Sequence, residues 1–394
     1  MTSLRLMTRP IVIGAGPAGL AVAATLKGRG MDPIQLERAD TVGANWRARY
    51  DGLRLNTVRW LSHLPGQRIP ARMGRWVDRD DFVTYLEQYA AYHALRPQLG
   101  VTVTRIGPNP DNGPGWLVST NAGELLAPAV VVTTGAFDIP VTPAWPGLSS
   151  YRGEVCHAAQ YRNPEPFRGR SVLVVGAGAS GLEIATLLAD GGAGSVALAV
   201  RTCQNLYTRQ WRGLPLTPAP IAQQLPTPVL DAAGAAIRLL LGSDWPSPLP
   251  RATEGLGTAL RRAGREPVVA DGIVEALRAG RIQLTPGVQE FRDDLVVLDD
   301  GSTRRPDAVI AATGYTHGLH ALVGHLGVLR PDGLPAAAAG ESLETAPGLT
   351  FVAFEPTVTG RLLRIPGQAR SAAGTVQRAM TAWLESSPST PRMP

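Results

Sequence analysis

Two glycine triplets of identical spacing each lie where a strand would turn into a helix, and the pattern suits the holding of phosphates. The first is Gly14-Ala15-Gly16-Pro17-Ala18-Gly19, preceded by Ile11-Val12-Ile13 and followed by an apolar stretch from Leu20 to Leu26. In such a unit the first glycine permits a tight turn, the second admits a pyrophosphate to the backbone, and the third lets helix and strand pack closely. The phosphates rest on the helix N-terminus, where unpaired N–H groups and the helix dipole favour anions. A second apolar strand, Pro33 to Leu36, leads to Glu37 and Arg38. A carboxylate there, about twenty residues beyond the third glycine, accepts hydrogen bonds from ribose hydroxyls and repels a 2′-phosphate.

The second unit runs from Ser171 through Val175 into Gly176-Ala177-Gly178-Ala179-Ser180-Gly181, and its next strand, Val196 to Val200, ends at Arg201 and Thr202. A guanidinium at the ribose-reading position pairs bidentately with a 2′-phosphate. The charge inversion from Glu37 to Arg201 therefore assigns FAD or NAD to the first unit and NADPH to the second. Two dinucleotides in one chain imply hydride transfer through a flavin.

The elements that must position these loops predict an α/β protein with two dinucleotide-binding, Rossmann-like domains. Between the units, Asp80 to Leu95 reads as an amphipathic helix with Phe82, Val83, Leu86, Tyr89 and Ala90 on one side and Asp81 near its positive end. Val101 to Val103 reads as a strand, Trp116 to Leu126 as a hairpin around Asn121-Ala122-Gly123, and Val130 to Val132 as a buried strand closing in Thr133-Thr134-Gly135. Pro140, Pro143, Pro146 and Gly147 then form a stiff linker. The hairpin-then-strand order recurs at Leu295 to Ser302, with an Asp300-Gly301 turn, and at Ala308 to Tyr315. Read as the chain's return, this recurrence predicts a discontinuous FAD-binding domain of residues 1–147 and 305–394, with an NADPH-binding domain, 148–304, inserted. Gly348 to Phe354 is a last strand, Ser371 to Leu384 a closing helix, and Ser386 to Pro394 a frayed tail.

Composition narrows the class. The 394 residues, 44% hydrophobic, suffice for two or three packed domains. The net charge of +6 is spread over scattered arginines with no basic run, so nucleic acid is not implied. Cys156 and Cys203 form no CxxC pair, which argues against a disulfide reductase, and no metal site is assigned. No leader pattern precedes the first strand and no apolar run reaches the roughly 18 residues that span a bilayer. The reading is a cytoplasmic protein with small-molecule partners and no membrane, a homo-oligomer being left open.

Between the two glycine loops lies Tyr151-x-Gly153-x-x-x-His157-x-x-x-Tyr161. It resembles the FxGxxxHxxxY/W fingerprint of the class B flavoprotein monooxygenases, with Tyr for the leading Phe. Gly43-Ala44-Asn45-Trp46 resembles that family's GGxW turn, with Ala44 for the second glycine, and Ala312-Thr313-Gly314-Tyr315 is similar to its later strand end. Tyr161 followed by Arg162 resembles the flavin-containing monooxygenases and the YUCCA-type plant enzymes. The Baeyer–Villiger monooxygenases more often carry Trp followed by Pro or Asp there. Leu239-Leu240-Leu241-Gly242 and Pro267-Val268-Val269-Ala270-Asp271 are also YUCCA-like.

The resemblance implies FAD and NADPH as cofactors. It further implies transfer of one oxygen atom from O2 to a small organic substrate through a C4a-(hydro)peroxyflavin, either at an amine or sulfide or at a carbonyl or 2-oxo acid. The residues it places about the flavin are Gly14, Ala15, Gly16, Pro17, Ala18, Gly19, Glu37, Arg38, Asn45, Trp46, Leu55, Asn56, Thr57, Val103, Thr134 and Gly135. About NADPH it places Gly176, Gly178, Ser180, Gly181, Arg201 and Thr202, with Thr313 and Gly314 at the later strand end. Asn56 matches the asparagine that serves near the flavin in flavin-containing monooxygenases, where YUCCA-type sequences differ. His157 is a weaker candidate, as a proton shuttle. The Pro-rich stretch from Gln204 to Pro250, with Trp211 and Trp245, carries no motif and is assigned to the border of the substrate cavity. The competing readings are a Baeyer–Villiger enzyme, a flavoprotein reductase or oxidase without oxygen transfer, and a non-catalytic NADPH-binding protein.

Overall fold

The computed structural model describes residues 5–6, 9–216, 222, 224–240 and 249–386. Three β-branched residues make β1 (Ile11–Ile13), wholly enclosed, and α1 (Pro17–Lys27) follows with Pro17 at its start, where a missing N–H is no loss. β2 (Ile34–Leu36) lies parallel to β1, and the single turn α2 (Ala44–Arg47) leaves Gly43 in the left-handed region at φ 68°. α3 (Arg79–Tyr92) buries Phe82, Tyr85, Leu86 and Tyr89. Two of those rings fasten the proline-punctuated loop before it. The Tyr85 hydroxyl donates to the Gln67 carbonyl at 2.8 Å and accepts from the Leu64 N–H at 2.7 Å, while the Tyr89 hydroxyl donates to the Pro65 carbonyl at 2.7 Å.

β3 (Val103–Pro108), β4 (Trp116–Thr120) and β5 (Gly123–Ala127) form an antiparallel meander that turns at Asn121-Ala122, and β6 (Val130–Val132) returns beside β1. The second unit contains β7 (Glu154–His157), β8 (Ser171–Val175), α4 (Ala179–Asp190), β9 (Ser195–Ala199), α5 (Thr227–Leu240), α6 (Leu256–Ala263) and β10 (Gln283–Thr285). The hairpin β11 (Val288–Arg292) and β12 (Leu295–Leu298) follows, then β13 (Ala308–Ala311), β14 (Leu349–Phe351) and α7 (Arg361–Ser386).

Two parallel sheets result, ordered β14–β6–β1–β2 and β10–β9–β8–β13–β7. This corrects the expected return at residue 305. β13 pairs with β8 and β7, so Ala308 to Ala311 complete the second sheet, and β14 supplies the returning strand of the first. The crossing itself is a two-stranded ribbon: Tyr315–Thr316, on the way back, pairs antiparallel with Ile139–Pro140, on the way out. Side-chain pattern could not separate the two readings, because a fully buried parallel strand looks alike in either sheet.

α1 and α7 share one core with α3. Small residues on both helices, Ala18, Ala21 and Ala24 against Ala369, Ala372 and Ala373, belong to that cluster and permit close approach. α7 begins ten residues before the closing helix read from the sequence and carries Pro366 in its second turn, where proline forfeits one hydrogen bond rather than ending the helix. Leu241, Gly242 and Trp245 lie outside the described residues, as does the tail beyond Ser386.

Candidate active site

The two glycine loops are built alike, and each glycine shows its reason. Gly14 has φ +110°, and a Cβ there would come within 2.8 Å of the Thr133 carbonyl. A Cβ on Gly19 would sit 2.0 Å from the Gly14 carbonyl oxygen, inside the strand–helix contact. At Gly16, by contrast, a Cβ meets no protein atom within 4 Å. The second loop repeats all three: Gly176 at φ +114° beside Ala312, Gly181 with a virtual Cβ 1.9 Å from the Gly176 carbonyl, and Gly178 facing open space. Open space at the middle glycine, beside the first N–H groups of α1 and α4, leaves those donors open to an anion such as a pyrophosphate. The residues present thus fit a dinucleotide at each loop.

Glu37 follows β2 and reaches back to the first loop, accepting from the Ala15 N–H at 2.6 Å and from the Ala39 N–H at 2.9 Å. Each carboxylate oxygen retains a lone pair for a further donor. Arg38 is turned to Asp138 at 2.5 Å. The Trp46 ring meets Phe82 edge-on at 4.6 Å between centroids, while Asn45 and Arg49 both reach the Phe137 carbonyl. Leu55 and Thr57 point into the core and Asn56 between them faces out, the alternation of an extended segment. Val103 opens β3 against the core behind the first sheet. Beyond β6, the Thr134 hydroxyl is buried with no hydrogen-bond partner, and Gly135, at φ +93°, faces open space. In the second unit, Arg201 and Thr202 are exposed just past β9, the Arg201 stem packing over Gly287, where a Cβ would come within 2.2 Å of Arg201 Cγ. Thr313 donates to the Val141 carbonyl at 2.5 Å, and Gly314, at φ +94°, also faces open space.

His157 does not have a free ring nitrogen. Its Nδ1 accepts from the Ala159 N–H at 3.0 Å and its Nε2 lies 3.1 Å from the Gly314 carbonyl, so the tautomer is set with the proton on Nε2. The ring therefore pins the fingerprint segment to the Thr313-Gly314 turn, a structural place rather than the shuttle read from the sequence. Burial, assisted by Arg49, holds its pKa below the usual imidazole range, although the Gly314 bond pulls upward. In the unfolded chain the same group titrates near the ordinary 6.5. Its stabilising contribution is complete above that value and is lost as pH falls through the lower, folded one, because the unfolded state binds more protons in between. The melting temperature should accordingly fall as the pH is lowered from about 7 through the ordinary imidazole range, and fall less steeply in His157→Asn; an identical slope in the two proteins would refute this place for His157.

The first unit and the second unit meet in a polar network, centred on the enclosed Arg209 and Glu183, that the sequence reading missed. Arg209 is 8% exposed at its side chain and contacts four groups. Its Nη1 donates to Asp271 at 2.9 Å, and its Nη2 to Glu183 at 2.5 Å, to the Asn56 Oδ1 at 3.0 Å and to the Arg54 carbonyl at 3.3 Å. The other Glu183 oxygen accepts from the Tyr50 hydroxyl, which Ser180 of the second loop also hydrogen-bonds. Burial opposes the Arg209 charge, but the two carboxylates outweigh it and raise its pKa. Burial also raises the Glu183 carboxyl against the pull of Arg209, and raises Tyr50 with help from the Glu183 charge. Asp271, the last residue of the YUCCA-like Pro267 to Asp271 stretch, grips both the Arg209 guanidinium and, at 3.0 Å, its backbone N–H. The one signal open to sequence reading was Glu183, the one charge in α4 ahead of its closing Asp190.

Fold and loops together define a two-dinucleotide flavoprotein with a short crossing between its halves. Residues 8–326 match the family model of FMO-like, flavin-binding monooxygenases, and the chain belongs to that family. It is 34% identical over 310 residues to the indole-3-pyruvate monooxygenase YUCCA1 of Oryza sativa subsp. japonica, covering 77% of this chain and 76% of that one. It is 32% identical over 339 residues to the probable indole-3-pyruvate monooxygenase YUCCA3 of Arabidopsis thaliana, covering 83% and 77%. Among solved structures, the flavin-containing monooxygenase of Stenotrophomonas maltophilia superposes with a TM-score of 0.69 at 24% identity, over 94% of this chain and 98% of that one. NADP+-bound cyclohexanone monooxygenase from Rhodococcus sp. Phi1 gives 0.72 at 20% identity, over 96% and 85%, a likeness of fold alone. The protein is a flavin-dependent monooxygenase. Among the described residues no helix is long and apolar enough to cross a membrane.

Proposed function

We propose that the chain oxidises a 2-oxo acid with an aromatic side chain, of the indole-3-pyruvate class, to the acid one carbon shorter. The supporting observation is the similarity to indole-3-pyruvate monooxygenases over more than three quarters of the chain. The balance is one 2-oxo acid, O2, NADPH and a proton giving carboxylic acid, CO2, water and NADP+, with the bond between carbonyl and carboxyl carbons broken. When bound, FAD takes hydride from NADPH and delivers electrons to dioxygen. The chain's residues do the rest. The first loop, with Glu37, Arg38, Asn45, Trp46, Leu55, Asn56, Thr57, Val103, Thr134 and Gly135, holds FAD. The second, with Ser180, Arg201, Thr202, Thr313 and Gly314, holds NADPH. Glu37 receives the FAD ribose hydroxyls and Arg201 the NADPH 2′-phosphate. Asn56 donates from its amide into the cleft between the two loops. A cytoplasmic location belongs to this proposal as well.

The test is product analysis on the purified holoenzyme with NADPH and indole-3-pyruvate or phenylpyruvate under 18O2. One labelled oxygen in indole-3-acetate or phenylacetate, with CO2 released stoichiometrically, is the expected result. NADPH consumption that yields only hydrogen peroxide would overturn it. A second reading, oxygenation of an amine or sulfide, draws on Asn56, which matches the flavin-containing monooxygenases at a place where YUCCA-type sequences differ. Labelled N-oxide or S-oxide from simple amines and sulfides, with 2-oxo acids left intact, would select that reading.

A further inference from the structure

We propose that Arg209 is a positioning residue, one that holds the Asn56 amide with its nitrogen toward the cleft and ties that orientation to α4 through Glu183. This rests on the proposed role of Asn56 as a donor into the cleft. A guanidinium carries donors only, so the group facing it at 3.0 Å must be the amide oxygen. The Asn56 Nδ2, with no acceptor among the described residues and on an exposed side chain, is then left to donate outward. Without Arg209, the amide could turn either face to the cleft, and half of its orientations would present an acceptor.

Both Arg209 and Glu183 are themselves held in place. Arg209 is clamped at backbone and side chain by the same Asp271 carboxylate, and Glu183, on the far side, is held by Tyr50. Glu183 lies two residues past Gly181, the last glycine of the second loop, and Arg209 lies eight residues past Arg201 on the same chain segment. The network therefore joins Asn56, from the first unit, to both structural supports of the second dinucleotide. Tyr50 and Asn56 come from one side of the interface, and Glu183, Arg209 and Asp271 from the other.

The experiment is a double-variant cycle on Asn56→Ala and Arg209→Met, each purified with FAD bound. Two readouts are taken: NADP+ affinity of the oxidised flavoprotein, titrated by the change in flavin absorbance, and the ratio of hydrogen peroxide to oxygenated product. Each single variant should weaken NADP+ on the order of fivefold, the size of one lost hydrogen bond, and raise the peroxide share. The double variant should do no more than either alone, and Arg209→Lys, which keeps the charge but loses the fork, should fall between Arg209→Met and the parent. Effects that multiply in the double variant would overturn the proposal. So would an Arg209→Met or Arg209→Lys protein of lowered melting temperature whose NADP+ affinity and peroxide share are those of the parent, since Arg209 would then be a structural clamp only. If Asn56→Ala moves both readouts and the Arg209 variants neither, the Arg209 proposal alone fails. If Asn56→Ala moves neither, the reading of Asn56 fails and the Arg209 proposal with it.

Discussion

Gly16→Val should yield a folded, colourless protein. A side chain at residue 16 meets no protein atom, so neither β1 nor α1 has to shift; the volume it occupies is the one a pyrophosphate needs over the α1 N-terminus. The flavin absorbance per protein should drop to background after purification and stay there when FAD is added, while the melting temperature matches that of deflavinated parent. Gly19→Ala provides the contrast. Its methyl group would lie 2.0 Å from the Gly14 carbonyl oxygen and 2.7 Å from the Thr133 hydroxyl, so α1 must move off the sheet. Overpacking of that kind costs about 1–3 kcal/mol, and here it acts on backbone that cannot yield. That variant should lose stability before it loses flavin. The same logic applied to the second loop makes Gly178→Val a yellow protein that NADPH no longer reduces. A yellow Gly16→Val protein with parental FAD content would sink the assignment of the first loop.

Arg201→Ala should erase most of the preference for NADPH over NADH. The guanidinium stands exposed past β9 and, among the described residues, is tied down by no ion pair, so it is available to the added phosphate. A charge-assisted hydrogen bond contributes about 1.5–3 kcal/mol, which corresponds to a rise of about tenfold or more in the NADPH Michaelis constant. NADH, which lacks the phosphate, should be used nearly as before, because the variant touches nothing else in the loop. Arg201→Lys should recover part of the preference, since it keeps the charge and loses the bidentate fork. An unchanged ratio of the two cofactors in Arg201→Ala would refute the role, and Thr202 would be the next residue to examine.

The loops themselves were legible in the sequence because their demands are local. A glycine whose φ must be positive, or whose Cβ would strike a nearby carbonyl, declares itself by spacing, and the acid or base at the end of the next strand follows at a distance set by the helix between them. The fingerprint, the turn at Trp46 and the hairpins were readable for the same reason, and they carried the family assignment. Where β13 belongs was not local. Its four enclosed residues would suit either sheet, and only pairing with β8 and β7 placed it in the second. The interface network was invisible for a related cause: Tyr50, Asn56, Glu183, Arg209 and Asp271 are scattered along most of the chain, and none forms a motif with another. Sequence alone determined that the chain carries two strand–glycine–helix loops of the kind that suits dinucleotides, since backbone geometry at glycine is written into residue type. Tertiary structure alone decided which side chains meet between the halves, that His157 spends both ring nitrogens on backbone, and that Asn56 must turn its oxygen to a guanidinium, since those choices depend on groups brought together only by the packing of one half against the other.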